Sequence, residues 1–127
     1  MTQERKHISV EVRGNVAVVT LLDRNILNPT SIKELGQECM ALVAPSDDGT
    51  PPLLQENTHV ILQWKEVNFA SSAVLNKCIL LERAVKKRKG RLRMCSLPPN
   101  IREVFFTTRL DQLFSIVETE ADAFASL

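Results

Sequence analysis

The chain has 127 residues, 44% hydrophobic and 24% charged, with a formal net charge of +1. That length suits one domain with a substantial core and is short for two. The near-balanced charge argues against a whole surface built for nucleic acid or anionic lipid, and no apolar run approaches the ~20 residues that span a bilayer.

The opening residues, Met1 to His7, are polar and contain no apolar signal core. Ile8 to Val12 alternates apolar and polar, which predicts an edge strand with one wet face. Arg13-Gly14-Asn15 supplies a turn, since Gly and Asn tolerate positive φ. Val16 to Leu22 is more apolar and predicts a more central strand, the second arm of an antiparallel hairpin. The loop Asp23 to Pro29 leads into a helix with Asn28 as N-cap and Pro29 as first helical residue. Ser31 and Glu34 offer an alternative capping box one turn later. Ile32, Leu35, Cys39 and Leu42 form its buried stripe. Ala44 to Asn57 holds three of the six prolines and reads as a surface insertion, too short for a domain linker.

The stretch Thr58 to Gly90 is the organising unit. Val60, Ile61 and Leu62 are an apolar run with two β-branched residues, suited to a strand covered on both faces. Ser71-Ser72 then caps a long helix whose stripe is Val74, Cys78, Leu81 and Val85, flanked by Leu75 and Ile79. Arg91 to Cys95 predicts a further parallel strand. Pro98, Pro99 and Asn100 start a helix with Ile101, Val104 and Phe105 inward. Leu110, Leu113 and Phe114 complete that region. Ser115 to Glu118 is a short last strand, and Thr119 caps a terminal helix. The order β-β-α-β-α-β-α-β-α predicts an α/β fold: a mixed, mostly parallel sheet of about five strands with about four helices in one domain, residues 1–127.

The chemistry-bearing motifs are few. No phosphate-cradling G-x-G-x-x-G or G-x-x-x-x-G-K-[ST] is present, and no H-E-x-x-H. His7 and His59 stand at strand starts and read as partly exposed strand-end residues rather than metal ligands. A serine nucleophile needs a base within reach, and the strand that begins at His59 holds that residue away from Ser71-Ser72. No catalytic residue, metal ligand or cofactor site is therefore predicted. The three cysteines, Cys39, Cys78 and Cys95, lie in apolar patterns without C-x-x-C spacing and read as buried free thiols. Together with the absence of a signal or a span, they predict a cytoplasmic protein. Lys86, Lys87, Arg88 and Lys89 close a helix, where cations complement the dipole, and no aromatics interleave with them. The serines at a strand-to-helix junction read either as caps or as a phosphorylation site at the carboxyl edge of the sheet.

The runs HVILQWKEVNFASSAVLNKCI, KGRLRMC and LPPNIREVFFTTRLDQLFSIVETEADAFASL resemble the STAS domain. This is the family of bacterial anti-sigma factor antagonists and sulfate-transporter tails, and the resemblance covers nearly the whole chain. The family junction is commonly Phe-x-Asp-Ser-Ser-Gly-Leu; here it is Phe69-Ala70-Ser71-Ser72-Ala73-Val74-Leu75. Anchored on Phe69, Leu75 and Gly90 without a gap, Ser71 stands at the family's Asp and Ser72 at its first Ser. Ala73 then occupies the usual phosphoacceptor position. A one-residue shift restores Ser72 as acceptor at the expense of a gap within the helix.

The resemblance implies a STAS fold and a non-catalytic regulatory protein that binds an anti-sigma factor, a serine kinase with a GHKL-type ATP-binding fold. Ser72 or Ser71 would accept the phosphate. Asn28, Ser71, Ser72, Ala73 and Asn76 would form the partner surface. A homodimer is left open, and no nucleic acid or membrane insertion is implied. The alternative is a constitutive STAS scaffold or adaptor subunit of a transporter or stress-signalling complex.

Overall fold

The computed structural model describes residues 6–127, so most of the polar opening segment, residues 1–5, lies outside the description. The two hairpin strands, β1 (Ile8–Arg13) and β2 (Val16–Leu21), pair antiparallel with Ile8 opposite Leu21 and Arg13 opposite Val16. Gly14 makes the turn at φ 61°. After a two-residue strand β3 (Asn25–Ile26), helix α1 (Pro29–Val43) crosses to β4 (His59–Gln63). A second short strand, β5 (Phe69–Ala70), precedes α2 (Ala73–Lys87), which crosses to β6 (Leu92–Cys95). Then come α3 (Pro99–Thr107), a 3₁₀ turn at Leu110–Gln112, β7 (Ser115–Val117) and α4 (Glu120–Ala125).

The main sheet runs β1-β2-β4-β6-β7, parallel throughout except for β1. Strand β4 sits at its centre, and Val60, Ile61 and Leu62 are buried, as a strand covered on both faces requires. Alternation divides the core. Ala17, Val19 and Leu21 face the layer that holds α1, α2 and α3, while Val16 and Val18 join Ile61, Cys95 and Ala123 under α4. Trp64, Phe105 and Phe114 form an edge-to-face chain with centroids 5.9 and 5.6 Å apart, closing the first layer where α3 meets the sheet. Gly90 is required by space: a Cβ there would lie 2.2 Å from the Thr58 carbonyl oxygen.

Three readings need correction. Leu22 lies outside β2 and is 43% exposed: the paired register ends at Ile8 and Leu21, with one further bond from Leu22 N–H to the His7 carbonyl at 2.9 Å. Val104 faces solvent: α3 is two and a half turns long, and Ile101 with Phe105 completes its contact with the core. The third concerns β3 and β5, which form a separate parallel two-stranded ladder, Asn25 with Phe69 and Ile26 with Ala70. Two-residue strands carry no periodic pattern, so this ladder has no signature in the sequence.

Candidate functional site

The small ladder is what assembles the site. The Arg24 carbonyl accepts from the backbone N–H groups of Asn68 and Phe69 at 2.7 and 3.0 Å, and the Ile26 carbonyl accepts from Ser71 N–H at 2.9 Å. Ile26 is fully buried and pins the loop from below. From the other side, the Asn100 side-chain amide donates to the Asn68 carbonyl at 2.8 Å, tying α3 to the same segment. Two residues past the Ile26–Ala70 pair, Asn28 follows β3 and Ser72 follows β5. Asn28, 44 positions from Ser72 in sequence, is thereby brought to the same edge, outside the carboxyl ends of β2, β4 and β6. Open α/β sheets place ligands and partners at this edge.

The two helix starts at this edge are built differently. At α1, Asn28 is extended (φ −77°, ψ 128°) and its side-chain oxygen accepts from Thr30 N–H at 2.8 Å, with Pro29 at the first helical position. The alternative Ser31–Glu34 box is not formed; Glu34 reaches His7 instead. At α2 the capping oxygen belongs to Ser71, which accepts from Ala73 N–H at 3.1 Å. Ser72 is already in the helical region (φ −59°, ψ −22°) and its side chain makes no capping hydrogen bond. A hydroxyl in helical backbone cannot turn back onto the first-turn N–H groups, so the reading of both serines as caps holds only for Ser71.

Ser72, Ala73 and Asn76 are exposed, Ser71 is half-buried and Asn28 is exposed, so all five predicted partner residues reach the surface. Asn28, Ser71, Ser72 and Ala73 meet at the ladder's end, and Asn76 lies one turn further along α2. Leu27 and Phe69, each more than half exposed, flank them as apolar neighbours. The first turn of α2 holds no acidic residue, so the positive end of its dipole faces out uncompensated.

His7 reveals a cluster that the sequence does not announce. It is buried rather than partly exposed, because β1 runs antiparallel and delivers its start to the carboxyl edge. Nδ1 lies 2.5 Å from an Asp23 oxygen, Nε2 lies 3.2 Å from Glu34, and its backbone N–H donates to Glu38 at 3.0 Å. Burial disfavours the charged ring, but the hydrogen bonds to Asp23 and Glu34, helped by the charges of Asp23 and Glu38, raise its pKa above the ordinary value. Both ring nitrogens are engaged, so His7 serves as a clamp between β1, the Asp23 loop and α1. His59 stands at the opposite end of the sheet, where Nδ1 accepts from Arg91 N–H at 3.0 Å. Burial and the charges of Arg91 and Arg93 lower its pKa. All three cysteines are buried and free, and burial pushes the Cys39 thiol up to about 12. Among the described residues no cluster of His, Cys, Asp and Glu is placed to hold a metal, and no helix is long and apolar enough to cross a membrane.

Comparison with known proteins agrees with the fold that carries this site. The sequence model of the STAS domain matches residues 7–123, and the chain belongs to that family. An anti-sigma-factor antagonist (STAS) domain protein from Planctomyces limnophilus superimposes with a TM-score of 0.77 at 17% identity, over 94% of this chain and 96% of that one. An anti-sigma factor antagonist from Mycobacterium paratuberculosis gives 0.70 at 22% identity, over 94% and 91%. The Bacillus cell fate determinant SpoIIAA in its phosphorylated form gives 0.64 at 16% identity, over 94% and 97%. At these identities the structures establish a shared STAS fold. A search among curated proteins finds no match.

Proposed function

We propose that this protein is an anti-sigma factor antagonist-like regulator that acts by binding, performs no reaction of its own and works in the cytoplasm. Its partner is an anti-sigma factor that is also a serine kinase with a GHKL-type ATP-binding fold. Partner binding frees a sigma factor, and phosphorylation of Ser72 releases the partner. The observation that carries this reading is the division of labour between the two serines. Ser71 is half-buried and spends its hydroxyl on the helix start, whereas Ser72 is exposed and its hydroxyl is left out of the cap. A phosphate on Ser72 adds about −1.5 to −2 charges at the positive end of α2, where the fold tolerates them and an apposed partner surface does not.

Asn28, Leu27 and Phe69 frame the patch on a rigid ladder, which gives the partner a preformed surface. Incubation with the anti-sigma kinase of the same host and ATP, followed by tandem mass spectrometry, tests the switch. Phosphate on Ser72 is expected. Phosphate confined to Ser71, or none on either serine, overturns the switch. Ala73, exposed at the family's usual acceptor position, favours a second reading, a constitutive STAS scaffold or adaptor. That reading predicts stable binding to a transporter or scaffold subunit and no phosphate at this junction.

A further inference from the structure

Helices α1 and α2 run side by side on the outer face of the sheet, and a continuous groove lies between them. At its amino-terminal end a depression of about 260 Å³ is lined by Lys33 and Lys77. Met40 and Leu80 are shared with a second depression of about 460 Å³, whose carboxyl-terminal end is lined by Arg83, Lys87 and Arg88. From Lys77 to Arg88 the groove follows roughly 16 Å of helix at 1.5 Å per residue. Its middle is apolar, lined by Met40 and by Leu80, which is 40% exposed. At the amino-terminal end the Lys77 stem packs on Gly36, where a Cβ would lie 2.8 Å from the lysine Cδ.

The charge on this groove is one-sided. None of the five cations takes part in an ion pair among the described residues. Against them stand Glu56 on the rim and Asp47 at the adjoining mouth of α1. The acids of α1 itself, Glu34 and Glu38, are turned to His7 on the opposite flank. Five of the chain's sixteen Lys and Arg residues thus line one groove. Arg88 is half-buried at the carboxyl-terminal end of the groove, and its Nη1 has no hydrogen-bond partner among the described residues.

We propose that the groove between α1 and α2 binds an acidic amphipathic helix of a partner protein. Cations at both ends with an apolar middle match a segment about eleven residues long that carries carboxylates at its two ends and apolar side chains between. A single small anion would engage one end and leave the other bare. Nucleic acid would gain no stacking, because no aromatic residue lines the groove. A concave slot also fits a helix better than a lipid surface. The surface is separate from Ser72, so the inference stands whether or not that serine is a switch.

The test is selection of a displayed library of helical peptides, about 14 residues long, on the intact chain, followed by affinity measurement at low and moderate salt. Enrichment of helices combining several Asp or Glu with a central apolar pair is expected. Their binding should weaken by about tenfold or more in the Arg83→Glu, Lys87→Glu double variant. The same charge change at Lys65 and Arg109, which do not line the groove, should leave it intact, with circular dichroism verifying the fold of each variant. No enrichment, enrichment of sequences without acids, or binding indifferent to the Arg83 and Lys87 reversals would overturn the proposal. So would an absence of peptide binding alongside binding of phosphatidylglycerol vesicles or single-stranded RNA that the double variant abolishes.

Discussion

The starts of α1 and α2 lie at one edge of the sheet, joined by the β3–β5 ladder, yet they use their polar residues in opposite ways. At the start of α1 the capping residue and the acids that face β1 all have structural tasks. Asn28 caps the helix, Glu34 and Glu38 hold His7, and Asp23 closes the clamp. At α2 the cap moves one residue back to Ser71, which leaves Ser72 exposed with its hydroxyl unused by the helix start. The lesson is that a residue at a nominal cap position becomes available to a partner when its own backbone is already helical. The fold at α1 supplies rigidity; the fold at α2 supplies a free group on that rigid base.

The comparison can be broken most severely at the ladder that both helices share. Ile26→Ala removes a fully buried side chain and should cost about 2–4 kcal/mol in urea unfolding, loosening both helix starts together. A cost below about 1 kcal/mol would mean that the ladder does not anchor the edge. The contrast itself is sharpened by a pair of alanine substitutions. Asn28→Ala loses a formed cap and should cost about 1 kcal/mol, whereas Ser72→Ala should stay within about 0.5 kcal/mol of the parent. Equal costs would contradict the division of labour.

A smaller effect belongs to pH. The folded pKa of His7 is raised above its unfolded value of 6.5, so the charged ring favours the native state. That contribution is fully present below the unfolded value and is lost as pH rises through the folded one. The His7 contribution should therefore lower the unfolding midpoint as pH rises above about 6.5, while His59, whose folded pKa is lowered, acts in the opposite sense below that value. His7→Gln should remove the fall above about 6.5. The groups facing the ring are Asp23 and Glu34, with Glu38 on its backbone. A midpoint that rises over this range in the parent, or an unchanged slope in the variant, would contradict the clamp.

Most of the scaffold was legible because its elements are long or strongly patterned. The stripe Val74, Cys78, Leu81, Val85 carries a helical period that matches its burial, and the run Val60-Ile61-Leu62 is buried throughout, as a strand covered on both faces is. In β1 the expected alternation holds at Ile8 and Val10 but fails at Val12, which is 56% exposed beside the hairpin turn. Asn28 with Pro29 announced the start of α1 correctly. What escaped is non-local or sub-periodic. The ladder has two residues per strand, and the His7 cluster joins residues 16 and 27 positions apart in sequence. Nothing in the neighbourhood of His7 signals that an antiparallel strand will carry it beside Asp23. The exchange of roles between Ser71 and Ser72 turns on a single backbone conformation, finer than sequence patterns resolve. Val104 reads as inward by helical spacing, but a helix this short buries only the pair at positions 101 and 105.

The central claim is that Ser72 is presented to a partner rather than spent on the fold. It is tested most directly by titrating the anti-sigma kinase of the same host against the parent chain and Ser72→Glu, with unfolding measured on both. Affinity should fall by on the order of a hundredfold while stability stays within about 0.5 kcal/mol. Unchanged affinity, or a loss of affinity accompanied by an equal loss of stability, would contradict it.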